Sequence, residues 1–158
     1  MNFKMTKNKI LVIGSNSFSG AHFVKKALSS EYEVMGVSRS EEPLNVFLPY
    51  KWLNVKEKVF SHQNFIFKKY DLNIDLLKII EEVDSFRPAY VVNFAAQGMV
   101  AESWLNPTHW YKTNVVSQVA FHDELRKRSF LKKYVHITTP EVYGSKDDGW
   151  INENHRFC

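Results

Sequence analysis

The chain has 158 residues, 44% of them hydrophobic and 24% charged, which is enough for one ordinary domain with a real core and excludes wholesale disorder. Its formal net charge of +4 suits an anionic ligand, but is too small and too scattered along the chain to argue for nucleic acid. The single cysteine, Cys158, excludes a disulfide framework and fits a reducing compartment; the apolar run after the basic N-terminus, Ile10 to Gly14, is far short of the about 20 residues of a membrane span, so a cytoplasmic protein with no membrane association is expected.

Ile10 to Gly14 is a continuous apolar run, the pattern of a strand buried on both faces in a parallel sheet. The stretch Ser19–Ser30 then reads as a helix with Phe23, Val24, Ala27 and Leu28 on one face. Glu33 to Val37 is a second strand. Arg39 to Gln63 is long for a connection and rich in aromatics (Phe47, Tyr50, Trp52, Phe60); part of it is expected to be helical and to pack over one sheet edge. Asn64 to Tyr70 is a third strand. Asn73 to Phe86 is a strong helix with Ile74, Leu77, Ile80 and Val83 as its inner stripe. Ala89 to Ala96 is a fourth strand. Asn106 caps and Pro107 starts a long helix that runs to Lys127, and Lys133 to Thr138 is a fifth strand. Strands alternating with helices give an α/β, Rossmann-type doubly wound parallel sheet with right-handed crossovers and about five strands.

The segment "VIGSNSFSGAHF" follows the first strand and opens the first helix. In a dinucleotide fold such a turn lets the backbone approach a pyrophosphate, which sits on the helix N-terminus. Gly14 and Gly20 stand where the first and last glycines belong, with Ser17 in the middle position. Its hydroxyl is able to bond a phosphate, although the backbone is held a little further off. The alternative is an ordinary strand-to-helix turn. Beyond the second strand stand Ser38, Arg39 and Ser40, with no acidic residue for a ribose 2′-hydroxyl. Arg39 suits a 2′-phosphate, which favours NADP over NAD, or is a solvated arginine at a strand end.

Between Tyr90 and Gly144 the chain resembles the extended short-chain dehydrogenase/reductases, the NAD-dependent epimerase/dehydratase family. "VVNFAAQGMVAESWLNPTHWYKTNV" resembles that family's fourth strand, its Asn-x-Ala-Ala turn and the start of its long helix. "YVHITTPEVYGS" resembles the fifth strand and active-site loop, and "YDL" the adenine-contacting step. The resemblance implies cofactor contacts from Gly14, Asn16, Ser17, Phe18, Gly20, Arg39, Asp71, Leu72, Ala95, Ala96 and Gln97, with NADP or NAD as the cofactor and no metal. It implies that Ser103 contacts cofactor or substrate phosphate and that Asn114 helps to order the site. Thr139 matches the Ser or Thr that bonds the reacting sugar oxygen. Glu141 matches the base that removes the carbon-5 proton in nucleotide-sugar 4,6-dehydratases; once carbon-4 is a ketone, that proton is acidic enough for a positioned carboxylate. Before it stands Pro140, where the dTDP-glucose enzymes carry an Asp, so the GDP-mannose enzymes are the nearer likeness. Nucleotide sugars are the implied substrates, with a homodimer formed through the long helix from Pro107.

The family's catalysis needs a Tyr-x-x-x-Lys pair, and no tyrosine of this sequence has a lysine four residues on. The expectation is therefore an incomplete NAD(P)-binding Rossmann domain over residues 1–158, ending before the last strands and the C-terminal substrate domain. Such a chain is the cofactor-binding portion of a nucleotide-sugar 4,6-dehydratase or epimerase and inactive by itself. The alternative is a non-catalytic interaction module that keeps the fold without the chemistry. The fifth strand, left as an edge, is expected to make the chain marginally stable and prone to self-association.

Overall fold

A computed structural model describes residues 8–52, 64–144 and 149–157. Its five strands are β1 (Lys9–Ile13), β2 (Glu33–Ser38), β3 (Phe65–Lys69), β4 (Tyr90–Asn93) and β5 (Lys133–His136). They pair in parallel in the order β3-β2-β1-β4-β5. β1 is central: Ile10 pairs with Val34 on one side and with Tyr90 on the other. Successive strand residues point to opposite faces, and both faces are covered, so β1 is apolar throughout its buried length. Leu11 and Ile13 join Ile79, Val83 and Phe121 in one core; Ile10 and Val12 join Val24, Ala27 and Leu48 in the other.

Helix α1 (Phe18–Ser29) buries Ala21, Val24, Ala27 and Leu28, as its period requires, with Phe23 half-buried beside them. Helix α2 (Leu76–Phe86) departs from the expected stripe. It buries Ile79, Ile80, Val83 and Phe86, whereas Ile74 and Leu77 are exposed. Ile74 is left out by the helix start, and Leu77 by its angle to the buried row. Ile74 and Asp75 bond back to the Asp71 carbonyl in a turn, the helix proper begins at Leu76, and Leu77 then lies about 100° round the axis from Leu76.

The long helix from Pro107 runs without a break through residues 107–125 but changes pitch on the way. Short helices α3 (Val100–Leu105) and α4 (Pro107–Tyr111) lead into a π segment, Lys112–Val116, and then α5 (Ser117–Leu125). Pro107 occupies the first helical turn as expected, but the Asn106 side chain makes no capping hydrogen bond. β4 ends earlier than the sequence suggests because Asn93 Oδ1 accepts the Ala95 N–H at 2.9 Å and turns the chain out of the ladder. Of the long connection after β2, the described part forms two 3₁₀ turns, Asn45–Phe47 and Pro49–Lys51. Leu48 and Tyr50 are buried, and the Tyr50 ring packs on Phe65 of the edge strand β3 at 4.7 Å. Phe60 lies outside the described residues.

Candidate functional site

The strand order changes direction at β1, with β2 on one side and β4 on the other, so a crevice opens above their C-terminal ends. The turn after β1 is shaped by two glycines. Gly14 has φ +79°, and a Cβ there would stand 2.9 Å from Ala95 N; a Cβ on Gly20 would stand 2.2 Å from the Gly14 carbonyl oxygen. Only glycine lets the loop fold this tightly against β4 and α1. Ser17 has a role not foreseen for it. Its Oγ donates to Gly14 O at 2.8 Å and accepts from Gly20 N–H at 3.1 Å, so the hydroxyl closes the loop and caps α1 instead of pointing outward with a free proton. The first-turn N–H groups of Phe18 and Ser19 keep no intrahelical acceptor, as in any helix start.

A cleft of about 230 Å³ lies over this turn. Of the residues singled out for cofactor contact, Gly14, Asn16, Ser17, Arg39, Asp71, Leu72, Ala95 and Ala96 line it. Gly20 sits behind the loop. Phe18 does not line the cleft; it is 82% exposed and packs on His22 at 4.8 Å. Gln97 belongs to a second cleft, of about 480 Å³, with Asn114, Thr139, Glu141, Gln118, His136 and Trp110. The two clefts share Ala95 and Ala96. Thr139 Oγ1 accepts from Glu141 N–H at the start of the 3₁₀ turn Pro140–Tyr143, and both side chains are exposed. Ser103 lies in neither cleft. It lines a shallow neighbouring hollow with Trp104, Trp110 and Tyr111, and its Oγ donates to Val100 O at 2.6 Å.

The turn shared by the clefts is held from the helical side. Asn114, in the π segment, accepts the Gln97 N–H at 2.8 Å and donates to Gln97 O at 3.1 Å, a reciprocal amide clamp. Gln118, four residues on, donates to Ala95 O at 2.9 Å. Its Oε1 accepts from the fully buried Asn93, whose amide also reaches the Tyr134 hydroxyl at 2.9 Å. The Tyr134 hydroxyl lies 3.3 Å from His136 Nδ1. Burial raises the Tyr134 phenol, with the Asn93 bond opposing, and burial together with His122 lowers His136 below the usual imidazole range. Asn73, which lines the first cleft, donates to Thr113 Oγ1 and accepts from Ser117 Oγ. Asn93 is the asparagine of the Asn-x-Ala-Ala turn, whereas Gln118 and Asn73 carry no motif; the spacing of four between Asn114 and Gln118 is the one signal for the former.

A parallel sheet wound in both directions, with a glycine turn and a helix N-terminus at its switch point, is a Rossmann-type fold. The chain belongs to the GDP-mannose 4,6 dehydratase family, whose model matches residues 11–158. Protein CapI of Staphylococcus aureus is 31% identical over 87% of this chain and 39% of its own length; a probable dTDP-glucose 4,6-dehydratase of Sinorhizobium fredii is 28% identical over 89% of this chain and 40% of its own. The chain thus spans about two-fifths of these relatives. Among solved structures, UDP-glucose 4-epimerase from Bifidobacterium longum, in complex with NAD+ and UDP, overlays with TM-score 0.79 at 20% identity, over 96% of this chain and 43% of that one. UDP-glucose 4-epimerase from Thermotoga maritima, with UDP-glucose, overlays with TM-score 0.73 at 25% identity, over 95% and 44%. No helix among the described residues is long and apolar enough to cross a membrane.

Proposed function

We propose that this chain is the dinucleotide-binding part of a nucleotide-sugar 4,6-dehydratase or epimerase, with NADP preferred over NAD. The observation that carries the reading is the single turn, Ala95–Ala96, that borders both the glycine-loop cleft and the cleft holding Thr139 and Glu141. A dinucleotide in the first cleft and a sugar in the second would meet there. The residues present fit such a cofactor: the loop is tight enough for close backbone approach, and α1 offers first-turn N–H groups to a pyrophosphate. Arg39 stands where a 2′-phosphate is expected, and Asp71 and Leu72 line the same cleft. A bound nicotinamide dinucleotide supplies hydride transfer. In this reading Thr139 hydrogen-bonds the sugar oxygen that becomes a ketone, Glu141 takes the proton beside that ketone, and Asn114 keeps the Gln97 backbone in place between them. Ser103 borders the phosphate of the substrate from the neighbouring hollow. A homodimer formed through the helical face from Pro107 completes the proposal.

The test is titration of the folded chain with NADPH and NADH, followed by fluorescence. Saturable binding of at least one, stronger for NADPH, is expected. Arg39→Asp, which replaces a phosphate partner by a ribose-hydroxyl acceptor, is expected to shift the affinity ratio toward NADH by about tenfold or more, the size of one charge-assisted contact. An unchanged ratio rejects the cofactor preference, and binding of neither nucleotide rejects the reading.

A further inference from the structure

We infer that Asn16 is a positioning residue for the choice between NADP and NAD, acting through the backbone of residues 38–41 rather than on the cofactor itself. The inference rests on the dinucleotide reading of the first cleft. Asn16 Nδ2 donates to two carbonyls at once, Ser40 O at 3.1 Å and Glu41 O at 3.0 Å. Its own N–H donates to Ser38 Oγ at 2.9 Å, and that hydroxyl lies 3.3 Å from Ser15 Oγ. From the β3 side, Tyr70 N–H donates to Ser38 O at 3.0 Å, and Lys69 pairs with Glu41 at 3.0 Å. The segment is fastened at positions 38, 40 and 41. Arg39 stands between the fastened points, exposed and lining the cleft. The orientation of the Asn16 amide is set by its neighbours. Two carbonyls require the NH₂ end, and Oδ1 is left buried with no donor among the described residues.

The consequence follows from ordering. An arginine on a fixed backbone has little left to lose when it grips a phosphate, whereas one on a loose segment must be ordered on binding. A free 2′-hydroxyl takes far less from a guanidinium than a phosphate does, so loosening residues 38–41 weakens NADP and largely spares NAD.

Asn16→Asp keeps the size of the side chain and replaces the donor with an acceptor facing two carbonyls. NADPH and NADH are titrated into the parent chain, Asn16→Asp, Arg39→Ala and the double variant, with circular dichroism and melting to confirm folding. Asn16→Ala serves as the second variant should Asn16→Asp fail to fold. Asn16→Asp is expected to weaken NADPH about tenfold more than it weakens NADH, and to add nothing to that difference once Arg39 is gone. Equal weakening of both nucleotides, no weakening, or an additive difference in the double variant overturns the inference alone. Binding of neither nucleotide by the folded parent overturns the dinucleotide reading and the inference with it.

Discussion

Gly20 shows how little freedom the glycine turn has. The Cβ of an alanine there would stand 2.2 Å from the Gly14 carbonyl oxygen and 2.8 Å from Ser17 Oγ, the two groups that close the loop. Because the first obstacle is backbone, the loop itself must open. Gly20→Ala is expected to destabilise the chain by about 1–3 kcal/mol, whereas Gly98→Ala, with nothing within 4 Å of its Cβ, is expected to stay within about 0.5 kcal/mol of the parent. Urea denaturation of the three proteins checks this; equal midpoints would contradict it. Both glycines of the turn were legible in the sequence, because their spacing after an apolar run is itself the signal. Ser17 was legible as a loop residue and not as a cap: a serine that binds phosphate and one that closes its own loop look alike until the Gly14 carbonyl is in place. Asn114 was similar. An asparagine inside a helix reads as solvent-facing, and its partner, the Gln97 backbone, is 17 residues away in sequence.

Among the elements, strands and helices were legible wherever burial on one or both faces imposed a period, as in β1 and α1. The stripe of α2 differs from the expected one at two positions: the Asp71 turn leaves Ile74 ahead of the helix, and Leu77 falls to the side of the row Leu76, Ile79, Ile80 and Val83 that meets the core. The π segment at Lys112–Val116 left no mark in the sequence, since its side chains fit a helix of either pitch. The connection after β2 was expected to cover a sheet edge, and Tyr50 does so. Its hydroxyl donates to Glu42 at 2.7 Å, and Lys51 pairs with the same carboxylate. Burial first, then Glu42, raises the Tyr50 phenol well above the ordinary tyrosine value. The fold therefore favours the neutral phenol. That stability is fully present below the unfolded tyrosine value of about 10 and is lost as pH rises above it, because the unfolded chain ionises there while the folded one does not. Tyr50→Phe is expected to cost about 0.5–1.5 kcal/mol at pH 7, from the lost hydrogen bond, and to reduce the fall in stability across the alkaline range. Denaturant midpoints measured from neutral to strongly alkaline pH test this; parallel curves for parent and variant would contradict it.

For the whole molecule, the alternation of elements made a doubly wound sheet legible, and the motifs that follow the strands placed the chemistry at the C-terminal ends of the sheet. The sequence could not say that one turn, Ala95–Ala96, borders two clefts, because Asn93, Gln118 and Asn114 hold that turn from distant parts of the chain. Nor could it say which apolar residues stay uncovered. Trp104, Leu105, Tyr111, Val115 and Val119 are all exposed, and the last three recur every four residues along one helical face. Among the described strands β5 is an edge, with Ile137 43% exposed just beyond it. An apolar helical face and an open parallel edge both gain by meeting a second copy. Sedimentation velocity from low to high micromolar concentration is therefore expected to show reversible association. Val119→Lys combined with Tyr111→Lys should weaken it: both side chains are exposed, lysine is at home in a helix, and two like charges would face the partner. Because these positions bury little in the monomer, the melting temperature at low concentration should barely move. If the helical variants associate as the parent does and Ile137→Lys does not, contact runs along the sheet edge and the helical face is not the dimer surface. A parent chain that stays monomeric at every concentration would remove both surfaces, and with them the proposed homodimer.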